Sequence, residues 1–233
     1  MKYRAILFDF DDTIWNFKKN SVNAIDCIRH IYQEKYDLKI SSGLFKNIYE
    51  EKNSILWDEY RRGERSSNSI SYTRFIDVGK YFNIEIGLEE SKRIAHSYLE
   101  ELYQGTILIE GAVDVLEYLS KNYVLGLITN GFKQGLVRLQ RCGINKYFKY
   151  AISSEEFGYP KPNADIFIHT ARKVNINPEE CIYIGDNYEG DIIGAKKAGL
   201  GAIFFNPKEQ IYNKYKIQPD FKIKRLKELE DIF

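Results

Sequence analysis

Cysteine is scarce in this 233-residue chain, and Cys27, Cys142 and Cys181 are odd in number and far apart. That spacing excludes a disulfide framework and a CxxC zinc site, and it fits a reducing cytoplasm. Long apolar runs are also missing. No stretch approaches the roughly 20 apolar residues that a bilayer-spanning helix needs. The opening MKYRAILFDF is too briefly apolar for a secretory signal and reads as a strand. Nor does charge of one sign dominate: 34 Lys and Arg against 33 Asp and Glu leave a net +1. No global field therefore favours a nucleic-acid polymer or a membrane surface. Internal repeats and low-complexity tracts are absent. What remains is 44% apolar and 29% charged, with 18 Tyr and 14 Phe, the composition of a soluble globular protein. The length suits one large domain or a core with a modest insertion.

Three apolar runs, AILF at 5–8, VLGLIT at 124–129 and IYIG at 182–185, are strand-length and apolar on consecutive positions. Strands buried on both faces of a parallel sheet look like this. YAIS at 150–153 and AIFF at 202–205 are weaker candidates of the same type, and FKI at 221–223 reads as a short edge strand. Helical patterns alternate with them: Val113, Leu116 and Leu119 after Gly111; Leu136 and Leu139 before Gly143; a segment capped by Asn163 and carrying Ile166, Phe167, Ala171 and Val174; and Asp191 to Ala198. The expected fold class is α/β, a doubly wound parallel sheet. Residues 206–220 read as loop and the final residues as a helix.

The stretch 17–104 breaks the alternation. It holds helical patterns only: Val22, Ile25 and Ile28; Leu44, Ile48 and Ile55; Phe75, Ile76 and Phe82; Leu88, Ala95, Leu99 and Leu102. That is too long for a crossover. The expected organisation is an α/β core of 1–16 and 105–233 with an inserted all-helical domain of 17–104, hinged near Phe17 and Gly105.

Polar residues collect where the strands end. DFDDT brings Asp9, Asp11 and Asp12; LITN brings Thr129 and Asn130; IYIGDNYEGD brings Asp186 and Asp191; and GYPKPNADIF carries Lys161 between two prolines. Ligands of open α/β sheets bind at that carboxyl edge. Like charges roughly 4 Å apart repel by about 4 kcal/mol at an effective dielectric near 20, so several carboxylates there require a cation. Oxygen-only donors favour Mg²⁺, which leaves part of its shell for water and phosphate oxygens. Of Asp9 and Asp11, one can serve as nucleophile and metal ligand while the other shuttles a proton. Thr129, Asn130 and Lys161 would meet phosphate oxygens, with Lys161 neutralising developing charge.

DFDDT, the Thr of LITNG, the Lys of YPKPNADIF and the acids of GDNYEGD resemble, in order and over nearly the whole chain, the four motifs of the haloacid dehalogenase-like superfamily. The resemblance implies a Rossmann-like core with a helical cap inserted after strand one. It implies Asp9 as nucleophile, Asp11 as acid/base, and Thr129 and Lys161 as phosphate binders. Asp186 would ligate Mg²⁺ with the Asp9 carboxylate and the Asp11 backbone carbonyl. Asp191 would partner Lys161 or the metal's waters. The superfamily's true dehalogenases lack an acid two positions after the nucleophile, so Asp11 points to the phosphatase branch. NSILWDEYRRGE, LITNGF and ISSEEFGYPKPNADIF look most like the pyrimidine 5′-nucleotidase subgroup.

The resemblance thus implies a cytoplasmic Mg²⁺-dependent phosphomonoesterase. It would act through an aspartyl-phosphate on a small phosphorylated metabolite, foremost nucleoside 5′-monophosphates, as a monomer or weak dimer. Sugar-phosphate phosphatase or mutase, 2-haloacid dehalogenase and non-catalytic binding module are the alternatives. In the insertion, Trp57 and Arg61 share a helical face at i, i+4 with Tyr60 nearby. These three form either a base-reading wall or cap core beside a solvated arginine. Trp15 and Phe17 line an entrance or pack a hinge. His30, His96 and His169 have no partners at metal spacing. Asp12 touches the site or caps the turn.

Overall fold

Consecutive apolar residues with β-branched and aromatic side chains form the strands. β1 (Ala5–Phe8), β2 (Val124–Thr129), β3 (Phe148–Ser153), β4 (Cys181–Gly185), β5 (Gly201–Phe205) and β6 (Phe221–Ile223) make one sheet in the order β3-β2-β1-β4-β5-β6. Every pairing is parallel. The computed structural model describes residues 2–212 and 215–233. Met1 of the opening segment, and residues 213–214 of the loop expected at 206–220, lie outside the described residues. β1, β4 and β5 are buried at every position, as a sheet covered on both faces requires. The expected runs YAIS and AIFF begin earlier, at Phe148 and Gly201. The expected final helix is a 3₁₀ segment, Leu226–Asp231.

Nine α-helices occur among the described residues: α1 (Phe17–Tyr36), α2 (Ser42–Arg61), α3 (Ser67–Tyr81), α4 (Leu88–Leu102), α5 (Ala112–Ser120), α6 (Val137–Arg141), α7 (Ser154–Phe157), α8 (Ala164–Val174) and α9 (Gly194–Lys197). None of the described helices is long and apolar enough to cross a membrane. The chain divides into two compact units, Met1–Phe17 with Thr106–Phe233, and Lys18–Gly105.

In the first unit, Ile166, Phe167, Ala171 and Val174 of α8 pack in one cluster with Ala5, Leu7, Ile128, Tyr183 and Phe204 of the sheet. Burying each such large apolar side chain contributes about 1.5–3 kcal/mol. Gly126 leaves room for Leu7 of the paired strand, because a Cβ there would lie 2.7 Å from Leu7 Cδ2. Asn163 caps α8 by accepting from the Asp165 N–H, and Asn175 ends it with φ 67°. In α5 the inward residues are Val115, Leu116 and Leu119, while Val113 of the expected face is exposed. The helix expected from Asp191 starts earlier, as a π-helical turn over Tyr188–Ile193 that leads into α9.

The second unit is α1–α4. Ile25, Ile28, Ile48, Phe75, Ala95 and Leu102 are buried, but Val22, Leu44, Ile55 and Leu88 of the expected faces are exposed. Phe45, Tyr49 and Tyr98 take inward positions instead. Phe45 packs on Tyr32 at 5.2 Å and Tyr49 on Tyr98 at 5.4 Å between ring centroids. A ring buries more area than a neighbouring aliphatic side chain, so the helices turn to bring the rings inside.

β1 is central, paired through Phe8 to Leu127 of β2 on one side and to Ile184 of β4 on the other. Strand order reverses between β1 and β4. Crevices that bind ligands form outside the carboxyl ends at such a switch point, and Asp9, Thr129 and Asp186 all lie there.

Candidate active site

Asp9 follows β1 directly, and its N–H still donates to the Ile184 carbonyl at 2.8 Å. The carboxylate leaves the sheet where β1 and β4 part. Oδ1 accepts from Lys161 Nζ at 2.6 Å and Oδ2 from Thr13 Oγ1 at 2.9 Å. Thr13 is buried in a tight turn whose Ile14 and Trp15 N–H groups donate to the Phe10 carbonyl at 3.0 and 2.8 Å. Asp12 adopts φ 60°, in the left-handed region. Its N–H donates to the Trp15 carbonyl at 2.7 Å, so its backbone closes this turn.

Lys161 is 2% exposed. Besides Asp9, Nζ donates to Asp191 Oδ1 at 2.7 Å, the Tyr183 hydroxyl at 2.8 Å and the Ile128 carbonyl at 3.1 Å. Three N–H bonds facing four oxygens leave the ammonium fully satisfied. Its loop is held from β2. Asn130 Nδ2 donates to the Lys161 carbonyl at 3.0 Å, and the Lys161 N–H donates to Asn130 Oδ1 at 2.8 Å. The sequence suggests phosphate contacts for Asn130; in the structure its amide clamps the Lys161 backbone.

Asp191 is aimed by the π-helical turn. Asn187 Oδ1 accepts from the Gly190 N–H at 2.7 Å, while Asp191 Oδ2 accepts from the Asn187 N–H at 2.9 Å. This reciprocal cap, in the manner of a capping box, draws the Asp191 side chain back over the end of β4. Single π turns are frequent at functional sites. Gly185 leaves room for it: a Cβ at that position would fall on the Asp191 carboxylate and lie 2.7 Å from its Cβ.

Asp9, Asp186 and Asp191 each offer one carboxylate oxygen, all within 4.8 Å of one another. Burial pushes the Asp9 carboxyl up to about 7 even though Lys161 pulls the other way, and the Asp191 and Asp11 carboxylates add to the rise. Burial alone would lower Lys161, but Asp191 and Asp9 more than offset it, and its ammonium is held above the ordinary lysine value. A group of hard oxygen donors carrying more negative charge than its ammonium neutralises fits a divalent ion of the Mg²⁺ type.

Asp11 points to different partners. Its Oδ2 accepts from Thr129 Oγ1 at 3.1 Å, and Oδ1 accepts from Arg138 Nη1 at 2.6 Å. Thr129 Oγ1 in turn accepts from the Gly131 N–H at 2.9 Å. Lys161 thus holds Asp9 while Thr129 and Arg138 hold Asp11. Thr13, Tyr183 and Arg138 escaped the sequence reading. Thr13 carried a signal, a hydroxyl four residues after Asp9. Tyr183 carried a weaker one, a polar tip inside an apolar strand. Arg138 carried none, since it reads as one more helix cation beside Arg141.

In the helical unit, Trp57 is half-buried and edge-on to buried Tyr60 at 5.8 Å, and Arg61 is ion-paired with Asp58. Trp15 is buried and stacked on Phe10 at 6.1 Å. His30 and His96 lie 3.7 and 3.1 Å from Asp26 and Glu100, and His169 is 3.2 Å from the Tyr150 hydroxyl. None of the three belongs to the acidic group.

Known proteins are similar to this chain over nearly its full length. The chain is 29% identical over 233 residues to the HAD-hydrolase YfnB of Bacillus subtilis, covering 99% of this chain and 95% of that one. It is 29% identical over 237 residues to the pyrimidine 5′-nucleotidase YjjG of Escherichia coli, covering 100% and 98%. It is 30% identical over 244 residues to a glyceraldehyde 3-phosphate phosphatase of Methanopyrus kandleri, covering 98% and 96%. The crystal structure of magnesium-bound YfnB superposes with a TM-score of 0.88 at 28% identity, over 100% of this chain and 99% of that one. The haloacid dehalogenase-like hydrolase family matches residues 3–199, a span that contains every acid of the site. With an acidic, lysine-bearing group at the switch point of a parallel sheet, this chain belongs to the haloacid dehalogenase-like hydrolase family.

Proposed function

We propose that the protein is a Mg²⁺-dependent phosphomonoester hydrolase that works through an aspartyl-phosphate on Asp9, with nucleoside 5′-monophosphates as substrates. The observation that carries the reading is the separation of two carboxylates two residues apart. Asp9 is bonded to Lys161 within the acidic group, and Asp11 is turned toward Thr129 and Arg138. Different surroundings give two carboxylates different tasks. Asp9, Asp186 and Asp191 are the side chains that would hold Mg²⁺, which when bound neutralises charge on the phosphoryl oxygens.

The protein's own groups then act in sequence. An Asp9 oxygen bonds to phosphorus as the ester P–O bond breaks, and Asp11 gives its proton to the leaving alkoxide. Asp11 next takes a proton from water as that water's oxygen bonds to phosphorus. The P–O bond to Asp9 breaks, phosphate leaves, Asp9 is again a carboxylate and Asp11 again carries the proton. Phosphate-monoester hydrolysis needs such help, with accelerations up to about 10²¹-fold. Lys161 holds Asp9 and Thr129 holds Asp11, so either donor would meet a phosphoryl oxygen only by giving up a protein oxygen that it now bonds.

The nucleotide assignment is supported by the full-length similarity to YjjG. The similarity to a glyceraldehyde 3-phosphate phosphatase supports a second reading, a small sugar phosphate. The helical unit Lys18–Gly105, with Trp57, Tyr60 and Arg61, is assigned to substrate selection. The test is phosphate release in Mg²⁺ across nucleoside 5′-monophosphates and sugar phosphates. The highest kcat/KM is expected on nucleotides. Activity confined to sugar phosphates selects the second reading, and rearranged sugar phosphate without free phosphate marks a mutase. Halide release from a 2-haloacid, or no turnover at all, removes the phosphatase assignment.

A further inference from the structure

We infer that Arg138 is a positioning residue for Asp11, fixing the orientation of the carboxylate that carries the proton; the assignment rests on the hydrolase reading above. Asp11 sits in a turn and is half-buried, so its side chain has staggered alternatives to choose from. Arg138 Nη1 takes one carboxylate oxygen at 2.6 Å and Thr129 Oγ1 the other at 3.1 Å. A carboxylate held at both oxygens keeps one orientation.

The guanidinium is itself fixed. Arg138 is 3% exposed. Its Nε donates to the Gly135 carbonyl at 2.8 Å, within the 3₁₀ segment Lys133–Leu136 that leads into α6. Its Cζ lies 4.6 Å from the Phe10 ring centroid and 4.2 Å from that of Trp15. Both rings belong to the turn that carries Asp11. Aromatic contacts and a backbone carbonyl therefore fix where Nη1 points, and the planar fork makes Arg suited to this in a way Lys is not. Arginine stays protonated at working pH, so it acts through Asp11 and does not exchange protons itself. A general acid works only within hydrogen-bond reach of the leaving oxygen, and small misplacements are costly in rate.

Two esters separate this role from a merely structural one. A nucleoside 5′-monophosphate expels a poor alkoxide that needs the proton, whereas p-nitrophenyl phosphate expels a phenolate that does not. kcat/KM reports the step in which that group leaves. Arg138→Met is expected to lower kcat/KM about 10²-fold on the nucleotide and less than about 5-fold on the aryl ester, because general-acid catalysis contributes about 10²–10⁴-fold. In an Asp11→Asn background, Arg138→Met should add no more than about 2-fold, since residues acting as a unit are not additive. Equal losses on both esters, or additive losses in the double variant, overturn the assignment. If Arg138→Met does not fold by circular dichroism, Arg138→Gln carries the same comparison. A wild type inactive on both esters removes the hydrolase reading and this assignment with it. An active wild type with equal variant losses removes this assignment alone.

Discussion

Replacing Lys161 by Met removes a buried ammonium and leaves two carboxylates without it. Nζ lies 2.6 Å from Asp9 and 2.7 Å from Asp191, which are 6% and 1% exposed. At that distance and an effective dielectric of about 20, each attraction is roughly 6 kcal/mol before desolvation is subtracted. Deleting one partner of a buried pair costs on the order of 3–5 kcal/mol. Asp9 can escape part of that by taking a proton, and the pH dependence follows. Its carboxyl is raised from 3.8 to about 7, so between those values the folded protein binds a proton that the unfolded chain does not. The stability contributed by that proton is complete below 3.8 and is lost as pH rises through about 7. The loss of Lys161 is therefore felt most where Asp9 is ionised. Urea unfolding of the EDTA-treated wild type and Lys161→Met should differ by about 3–5 kcal/mol near pH 8 and by clearly less near pH 5.5. The m-values should be unchanged. A difference under about 1 kcal/mol near pH 8, or equal differences at the two pH values, would refute the buried ion-pair account.

Further outcomes follow from the same geometry. Asp9→Asn should leave the circular dichroism spectrum intact and lower phosphate release by at least about 10³-fold; near-wild-type turnover would remove the nucleophile. Mg²⁺ at about 100 times its Kd should stabilise by about 2.7 kcal/mol, or roughly 5–10 °C in Tm for a chain of this size. That shift should be larger near pH 8 than near pH 6, because protons compete for Asp9 below about 7. A Tm insensitive to Mg²⁺ and activity surviving EDTA would together exclude the ion. Gly185→Ala drives a Cβ into Asp191. It should cost about 1–3 kcal/mol in unfolding free energy, as overpacking does, and weaken Mg²⁺ binding in a titration followed by Tm. Unchanged Mg²⁺ dependence would mean that Asp191 does not contribute to the ion site.

The strands were legible because burial on both sheet faces demands consecutive apolar residues, and AILF, VLGLIT and IYIG meet that demand without ambiguity. The acids were legible because a parallel sheet gathers its strand ends on one edge. Asp9, Asp186 and Asp191 offer oxygens within 4.8 Å of one another although they are distant in sequence. Helix faces were less legible. Leu44 loses its inward place to its neighbour Phe45, whose ring packs on Tyr32, and Ile55 loses its place to its neighbour Leu56.

Side-chain pairings lay beyond the sequence altogether. Asn130 follows β2 in the expected place, yet its amide meets the Lys161 backbone, a choice made by the loop that packs alongside it. Arg138 meets Asp11 from 127 residues away in the chain. Local periodicity and charge determined which strands form and which end of the sheet is acidic, because those depend on each residue's own burial and sign. Which cation faces which carboxylate was decided by tertiary packing alone, because a hydrogen bond is set by distances between segments that no local pattern encodes.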